Sequence, residues 1–320
     1  VAATSSENLV TIAVGGGASS SAAVAGSAVV NVLNETTKGR IDDSATFNVG
    51  TASGLSQADL RVRASDDTDI VSVGGAVAVS GSAGVDVGAV VNTVTKTTEA
   101  RMGSGVVGLA DGDVVITAHG DEDISTVAAG LAVSSSVGVA VNANVQVIDA
   151  TTRAILGDDP TDAKASAGAG HVHAEGSVVV AADAHTEIDL ITGALAASGS
   201  AGIGAAVGVV TTNKVTQALV GEGARVTADG LRAGLVVQDG GIGVGYDAAV
   251  PMDKSKVPNA GAGQRGDAAS LEVGTPTYNS QDGQGNTSSD GSFSGDRVAE
   301  ATTRSGFQGL AVTATNRDDI

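Results

Sequence analysis

The chain has little of what builds a compact globular core. Its 320 residues include no Cys and no Trp, and aromatic residues make up only 2% of them. Globular interiors usually rely on Leu and aromatic side chains for volume. The interior must therefore be thin and filled by small side chains. The absence of Cys also excludes disulfides as a source of stability.

Basic residues are scarce as well. Lys and Arg number 17 against 36 Asp and Glu, which gives a net charge of −19. Such a surface repels phosphate backbones and anionic lipids, so we expect no nucleic-acid partner and no membrane docking. Gly, Ser, Thr or Asp interrupts every apolar run before it reaches the length of a spanning helix, so we expect no membrane insertion.

The sequence does hold an internal repeat rich in Gly, Ala and Val. Residues 70–85 read Ile-Val-Ser-Val-Gly-Gly-Ala-Val-Ala-Val-Ser-Gly-Ser-Ala-Gly-Val, and matching blocks occur three more times without gaps. The first anchor residues of the four blocks are Leu9, Ile70, Ile124 and Ile188. The second anchors, 31 or 32 residues later, are Ile41, Met102, Ile155 and Val220. The residues eight positions before each first anchor are Val1, Val62, Ile116, Val180 and, before Ile320, Val312. This pattern is the one expected for a section of a longer tandem array.

Strict alternation of apolar and polar residues, with no helix-capping signals, predicts an all-β fold. Small residues at stacked repeat positions favour a parallel β-helix, or β-solenoid, of about four tandem repeats of 54–64 residues. Three coils of ordinary size per repeat is the simplest division, although one or two long flattened coils would also fit. We expect Ser80, Ser82, Ser134 and Ser136 inside a narrow interior or between layers; the serine tripeptide could instead form a bend.

The repeats define the expected domain organisation. Residues 1–238 form the solenoid, with repeats at about 1–61, 62–115, 116–179 and 180–238. Residues 239–307 form an insertion, read either as a long loop or as a small β element. Residues 308–320 resume the array as the start of a fifth repeat.

Two sets of residues are candidates for binding. Acidic side chains gather before the anchors, and turns crowded with carboxylates can hold Ca²⁺, although solvated turn residues are the favoured interpretation. The calcium candidates are Asp66, Asp67, Asp69, Asp121, Glu122 and Asp123. The insertion holds four of the five aromatic residues, which makes it either a recognition loop or a spacer. These recognition candidates are Tyr246, Tyr278, Phe293 and Phe307.

His171 and His173 flank Val172 at a spacing that a metal could use, but an exposed loop is the better interpretation. The four His are scattered and there is no Cys, so no catalytic constellation can be assembled. We expect neither an enzymatic activity nor a required cofactor, with Ca²⁺ as the one ion the acidic residues could bind.

The repeats resemble a known family. Residues 76–85 (Ala-Val-Ala-Val-Ser-Gly-Ser-Ala-Gly-Val), 91–102 and 114–118 are similar to the repeat region of large bacterial filamentous adhesins of the filamentous-haemagglutinin-like and leukotoxin type. The resemblance covers nearly the whole chain except residues 239–307. It implies secretion to the bacterial cell surface, a right-handed β-helical shaft and a role in attachment.

The leading hypothesis is therefore a structural and adhesive shaft of an exported surface protein. Its partner would be a glycan or protein on a host or neighbouring cell, or another copy of the chain. Two alternatives stay open: a carbohydrate-active β-helix enzyme of the polysaccharide-lyase type, and a segment of a pore-forming, leukotoxin-type toxin.

Overall fold

A computed structural model describes most of the chain as strands, with no helix among the described residues. The described residues are 1–50, 58–161, 170–242, 244–245, 279–281, 287–289 and 301–320.

The strands stack as the coils of a right-handed parallel β-solenoid, which confirms the predicted fold class. Each repeat is one long flattened coil of two long strands and one short strand, so the prediction of three ordinary coils per repeat is wrong. Coil 1 contains β1 (Ala2–Ser19), β2 (Ala22–Ile41) and β3 (Thr46–Val49). Coil 2 contains β4 (Leu60–Ser80), β5 (Ala83–Met102) and β6 (Val107–Ala110). Coil 3 contains β7 (Val114–Ser134), β8 (Val137–Leu156) and β9 (His171–Ala174). Coil 4 contains β10 (Val178–Ser198), β11 (Ala201–Val220) and β12 (Arg225–Ala228).

Three sheets run along the solenoid. The first sheet joins β1, β4, β7, β10 and a further strand, β18 (Leu310–Asp319), which begins coil 5; the second joins β2, β5, β8 and β11; the third joins the short strands. The remaining described strands are β13 (Leu235–Ile242), β14 (Val244–Gly245), β15 (Asn279–Gln281), β16 (Thr287–Ser289) and β17 (Ala301–Phe307).

The register confirms the first anchors: Leu9, Ile70, Ile124 and Ile188 pair across the first sheet. In the second sheet Met102 pairs with Leu156, and Val220 also pairs with Leu156, so the assignment of Ile155 as an anchor is wrong. Alternation is the reason, because only residues at an even distance from Ile124 point into the same interior.

The two long strands of a coil fold back on one another at the serine tripeptide, so that their inner faces pack together. Ser80 and Ser134 end the strands and are buried, as expected, but Ser82 and Ser136 lie in the bend and are exposed. Near the bend the sheets approach closely because the inner residues are small: a Cβ added to Gly74 would lie 2.7 Å from Cγ2 of Val90. Farther from the bend the interior widens and holds larger aliphatic side chains, among them Ile70, Ile124 and Ile148.

An extra antiparallel pair, β13 with β17, lies against the outside of the first sheet. Val237 of this pair packs on Val179, Ala181 and Ala311. The outer face of the first sheet is thus partly covered in coils 4 and 5.

Candidate functional site

The acidic runs before the anchors divide between the two faces of their strands, because successive side chains of a strand point in opposite directions. The candidates therefore form two separate sites, one inside the solenoid and one on its surface. The inner members are Asp66 and Glu122, and the outer members are Asp67, Asp69, Asp121 and Asp123.

The inner acids pair with a buried lysine. Lys96 is 2% exposed, and its Nζ contacts the Asp66 carboxylate and lies 3.6 Å from Oε1 of Glu122. The same Nζ donates a hydrogen bond of 2.6 Å to Oγ1 of Thr68. One ammonium group therefore links coil 2 to coil 3 inside the solenoid.

Acidic and basic side chains alternate along this inner ion column. Lys214 of coil 4 occupies the place of Lys96 two coils on, with its Nζ 4.0 Å from Oε2 of Glu122 and 2.8 Å from Oδ1 of Asp318 in coil 5. The sequence of charges is thus acid, base, acid, base and acid. A shift of one residue in any strand would turn a charged partner out of the column, so the column specifies the register.

The coil 1 end of the column holds two acids and no base. Glu7, Glu35 and Asp66 each place one oxygen atom within 4.8 Å of the others, the arrangement that could hold a metal ion. Burial raises the pKa of Glu35 to about 7, and the neighbouring Glu7 and Asp66 carboxylates act in the same direction. The sequence reasoning missed Glu7 and Glu35. Their signal was their position: Glu35 stands in register with Lys96, and Glu7 with Thr68.

The outer acids line an open depression of about 450 Å³ on the first sheet, called here the outer acidic depression. Burial and the carboxylates of Asp69, Asp189 and Asp121 raise the pKa of Asp123. Burial also acts to raise the pKa of Asp121, but His185, whose Nδ1 lies 2.8 Å from Oδ1 of Asp121, lowers it overall. Crowded carboxylates of this kind suit a cation and repel an anion.

A ladder of amides and hydroxyls fills the interior between these charges and the bend. Nδ2 of Asn31 donates to Oγ1 of Thr11 at 2.7 Å, to Oγ of Ser72 at 2.9 Å and to Oδ1 of Asn92 at 2.8 Å. The ladder therefore joins both sheets and both coils, and these hydrogen bonds between coils fix the coil stacking.

The histidine pair lies on a strand and not in a loop. His171 and His173 of β9 stack at 6.3 Å between ring centroids. His171 Nε2 lies 3.2 Å from Oγ1 of Thr227, and His173 Nε2 lies 2.8 Å from Oδ2 of Asp229, both on the next coil.

Of the aromatic candidates, only Phe307 belongs to the described residues. It ends β17 and packs, partly buried, against the cluster around Val179. Tyr246, Tyr278 and Phe293 lie outside the described residues.

No protein-family model, curated protein or solved structure matches this chain. None of the described residues belongs to a helix that is long and apolar enough to cross a membrane.

Proposed function

We propose that this chain is a structural and adhesive shaft segment of an exported bacterial surface filament and that it has no catalytic role. The observation that carries the proposal is the continuity of the long sheets, in which every residue of β4 from Leu60 to Ser80 pairs with a residue of β7. Sheets stacked in this way transmit load along the axis through many parallel hydrogen bonds. The ion column and the amide ladder oppose slippage between coils.

The electrostatics favour a shaft over a lyase of acidic polysaccharides. The outer acidic depression is lined mainly by carboxylates, and His185 is the one basic side chain among its lining residues. An anionic sugar would be repelled there. We propose that attachment to the partner takes place through residues 239–307, which hold the aromatic candidates.

Adhesion and turnover assays test the proposal together. Beads coated with the 320-residue chain should adhere to epithelial or bacterial cells, and the same chain should release no unsaturated oligosaccharides from acidic polysaccharides. A variant lacking residues 252–300, which keeps β13 and β17, should keep the β circular dichroism spectrum and lose adhesion. Turnover of a polysaccharide, or absence of adhesion by the complete chain, would overturn the proposal.

Calcium binding at the outer acidic depression is the second part of the proposal. Ca²⁺ should raise the melting temperature of the parent chain by relieving repulsion among the carboxylates. The double variant Asp69→Asn with Asp123→Asn should melt higher than the parent without calcium and gain little from added calcium. Asp42→Asn, an exposed change in coil 1, is the control and should leave the calcium response intact. An equal response in the parent and the double variant would remove calcium from this site.

A further inference from the structure

The outer surface of the second sheet is aliphatic over most of its length near the bend. The outward residues are alternate positions of 22–32, 83–93, 137–147 and 201–211. All are Ala, Val or Ile except Gly26, Thr93 and Thr211, and none is buried by the described part of the chain. No charged side chain belongs to this set, called here the aliphatic face.

The size of the aliphatic face exceeds what a monomer usually exposes. Eleven residues of strand and four coils span about 36 Å by about 19 Å, or roughly 700 Å². Typical monomers expose apolar patches of about 300–600 Å² at most. Two such faces in contact would bury roughly 1,400 Å², within the range of stable, specific interfaces.

The chemistry of the face selects the class of partner. A flat surface with almost no hydrogen-bonding side chains must be covered by another flat, uncharged, aliphatic surface, or polar groups would be buried unpaired. The same face on a second copy meets this requirement. The net charge of −19 does not oppose the contact, because the nearest outward carboxylate of the second sheet, Asp149, stands in a row with Asn34, Thr95 and Asn213 beyond the edge of the face.

We propose that two copies of this chain pair through their aliphatic faces, related by a two-fold axis parallel to the solenoid axis. This orientation reverses the strand direction between copies, so the row containing Asp149 extends past the bend of the partner and stays hydrated. A two-fold axis parallel to the strands would instead bring the Asp149 side chains of the two copies close together, and their mutual repulsion disfavours that arrangement.

Side-chain size supports the same axis. In this arrangement position 87 faces position 89 of the other copy, 141 faces 143 and 205 faces 207. These opposed pairs are Val87 with Ala89, Val141 with Ala143 and Ala205 with Val207. Each of these central pairs joins a larger side chain to a smaller one, which lets the centre of sheets packed about 10 Å apart interdigitate. Pairs farther from the centre, such as Val85 with Val91 and Val139 with Val145, join two larger side chains.

Pairing through the aliphatic face does not depend on the proposed function, because the same face would pair whether or not the solenoid is an adhesive shaft. Adhesion and pairing are also measured separately, so either can fail without the other.

Analytical ultracentrifugation of the complete chain tests the pairing. The parent should sediment as a dimer at tens of micromolar, and the double variant Val87→Lys with Val141→Lys as a monomer. Val77→Lys is the matched control: Val77 lies on the outside of the first sheet with 41% exposure, the same as Val141, and its variant should remain dimeric. Circular dichroism checks that every variant keeps its β structure.

Cross-linking tests which face forms the contact. The chain has no Cys, so a single Val141→Cys variant should be linked into covalent dimers by a short bismaleimide, whereas Val77→Cys should not. The pairing is overturned if the parent is monomeric, or if the Val87→Lys, Val141→Lys variant is still a dimer. It is also overturned if Val77→Lys loses the dimer to the same extent, or if assembly requires the outer faces of both the first and the second sheet. It is overturned equally if the parent stays monomeric and instead binds zwitterionic lipid vesicles through the aliphatic face.

Discussion

At the scale of single residues, the buried charges of the inner ion column decide stability. Lys96 neutralises Asp66 and lies near Glu122, and all three are nearly or fully buried. Replacing Lys96 by Met leaves two acids inside the solenoid without their cation. We expect a loss of about 3–5 kcal/mol in the free energy of unfolding, measured by urea denaturation. Lys38→Met, on the exposed face of the preceding coil, should change stability little, and equal losses in the two variants would contradict this role for Lys96.

Asp86 presents the opposite case, a buried acid without a cation. It is 0% exposed, and neither of its carboxylate oxygens makes a hydrogen bond. Its partners on the neighbouring strands of the second sheet are Ala25 and Ala140, and Gly130 of β7 faces it across the interior. Burial raises the pKa of Asp86, and the nearby Asn142 amide offsets only part of that rise.

The direction of this pKa shift sets the pH dependence. A carboxyl whose pKa is higher in the folded chain contributes most below its unfolded pKa, near 3.8, and loses that contribution as the pH rises through the folded value. Asp86→Asn should therefore be more stable than the parent by about 1–3 kcal/mol at pH 7. The difference should shrink as the pH falls through the raised pKa of Asp86 and should be near zero below about 4. Thermal melts of both proteins across this range, with Asp42→Asn as control, measure it; a less stable Asp86→Asn variant at pH 7 would contradict it.

At the scale of elements, the bend between the long strands depends on close approach of the coils. A Cβ at Gly81 would lie closer than any van der Waals contact to the backbone oxygen of Ser20 in coil 1. Gly81→Ala should therefore destabilise the solenoid by roughly 1–3 kcal/mol, because a backbone atom has to move. Gly193, in the middle of β10, has open space around its Cα, and Gly193→Ala should be neutral or slightly stabilising. Chemical denaturation of the two variants separates a steric effect from a general effect of alanine; matching midpoints would show that the bend tolerates a side chain.

At the scale of the whole molecule, the stacked coils predict the shape in solution. One coil per repeat, at about 4.8 Å per coil, makes the solenoid a short, broad blade whose long edge follows the 18–21-residue strands. Small-angle scattering should give a flattened particle, and far-ultraviolet circular dichroism should show β structure with almost no helix. A spherical particle, or a substantial helical signal, would contradict the solenoid.

The sequence by itself determined the all-β class, the tandem register and the first anchors, because side-chain period and repeat spacing are both local patterns. It favoured the face that carries Ser80 and Ser134 for the interior, but local patterns alone do not fix which face is buried. Near the bend one face of each long strand is Ala, Gly and Ser and the other is Val, Ile and Leu, and either could be buried by a suitable partner. The tertiary structure decided this: the two sheets of a coil approach so closely that only small side chains fit between them, which leaves Val87 and Val141 outside. It also decided that Glu7 and Glu35 meet Asp66, since that contact requires two strands of one coil and the next coil to come together in space.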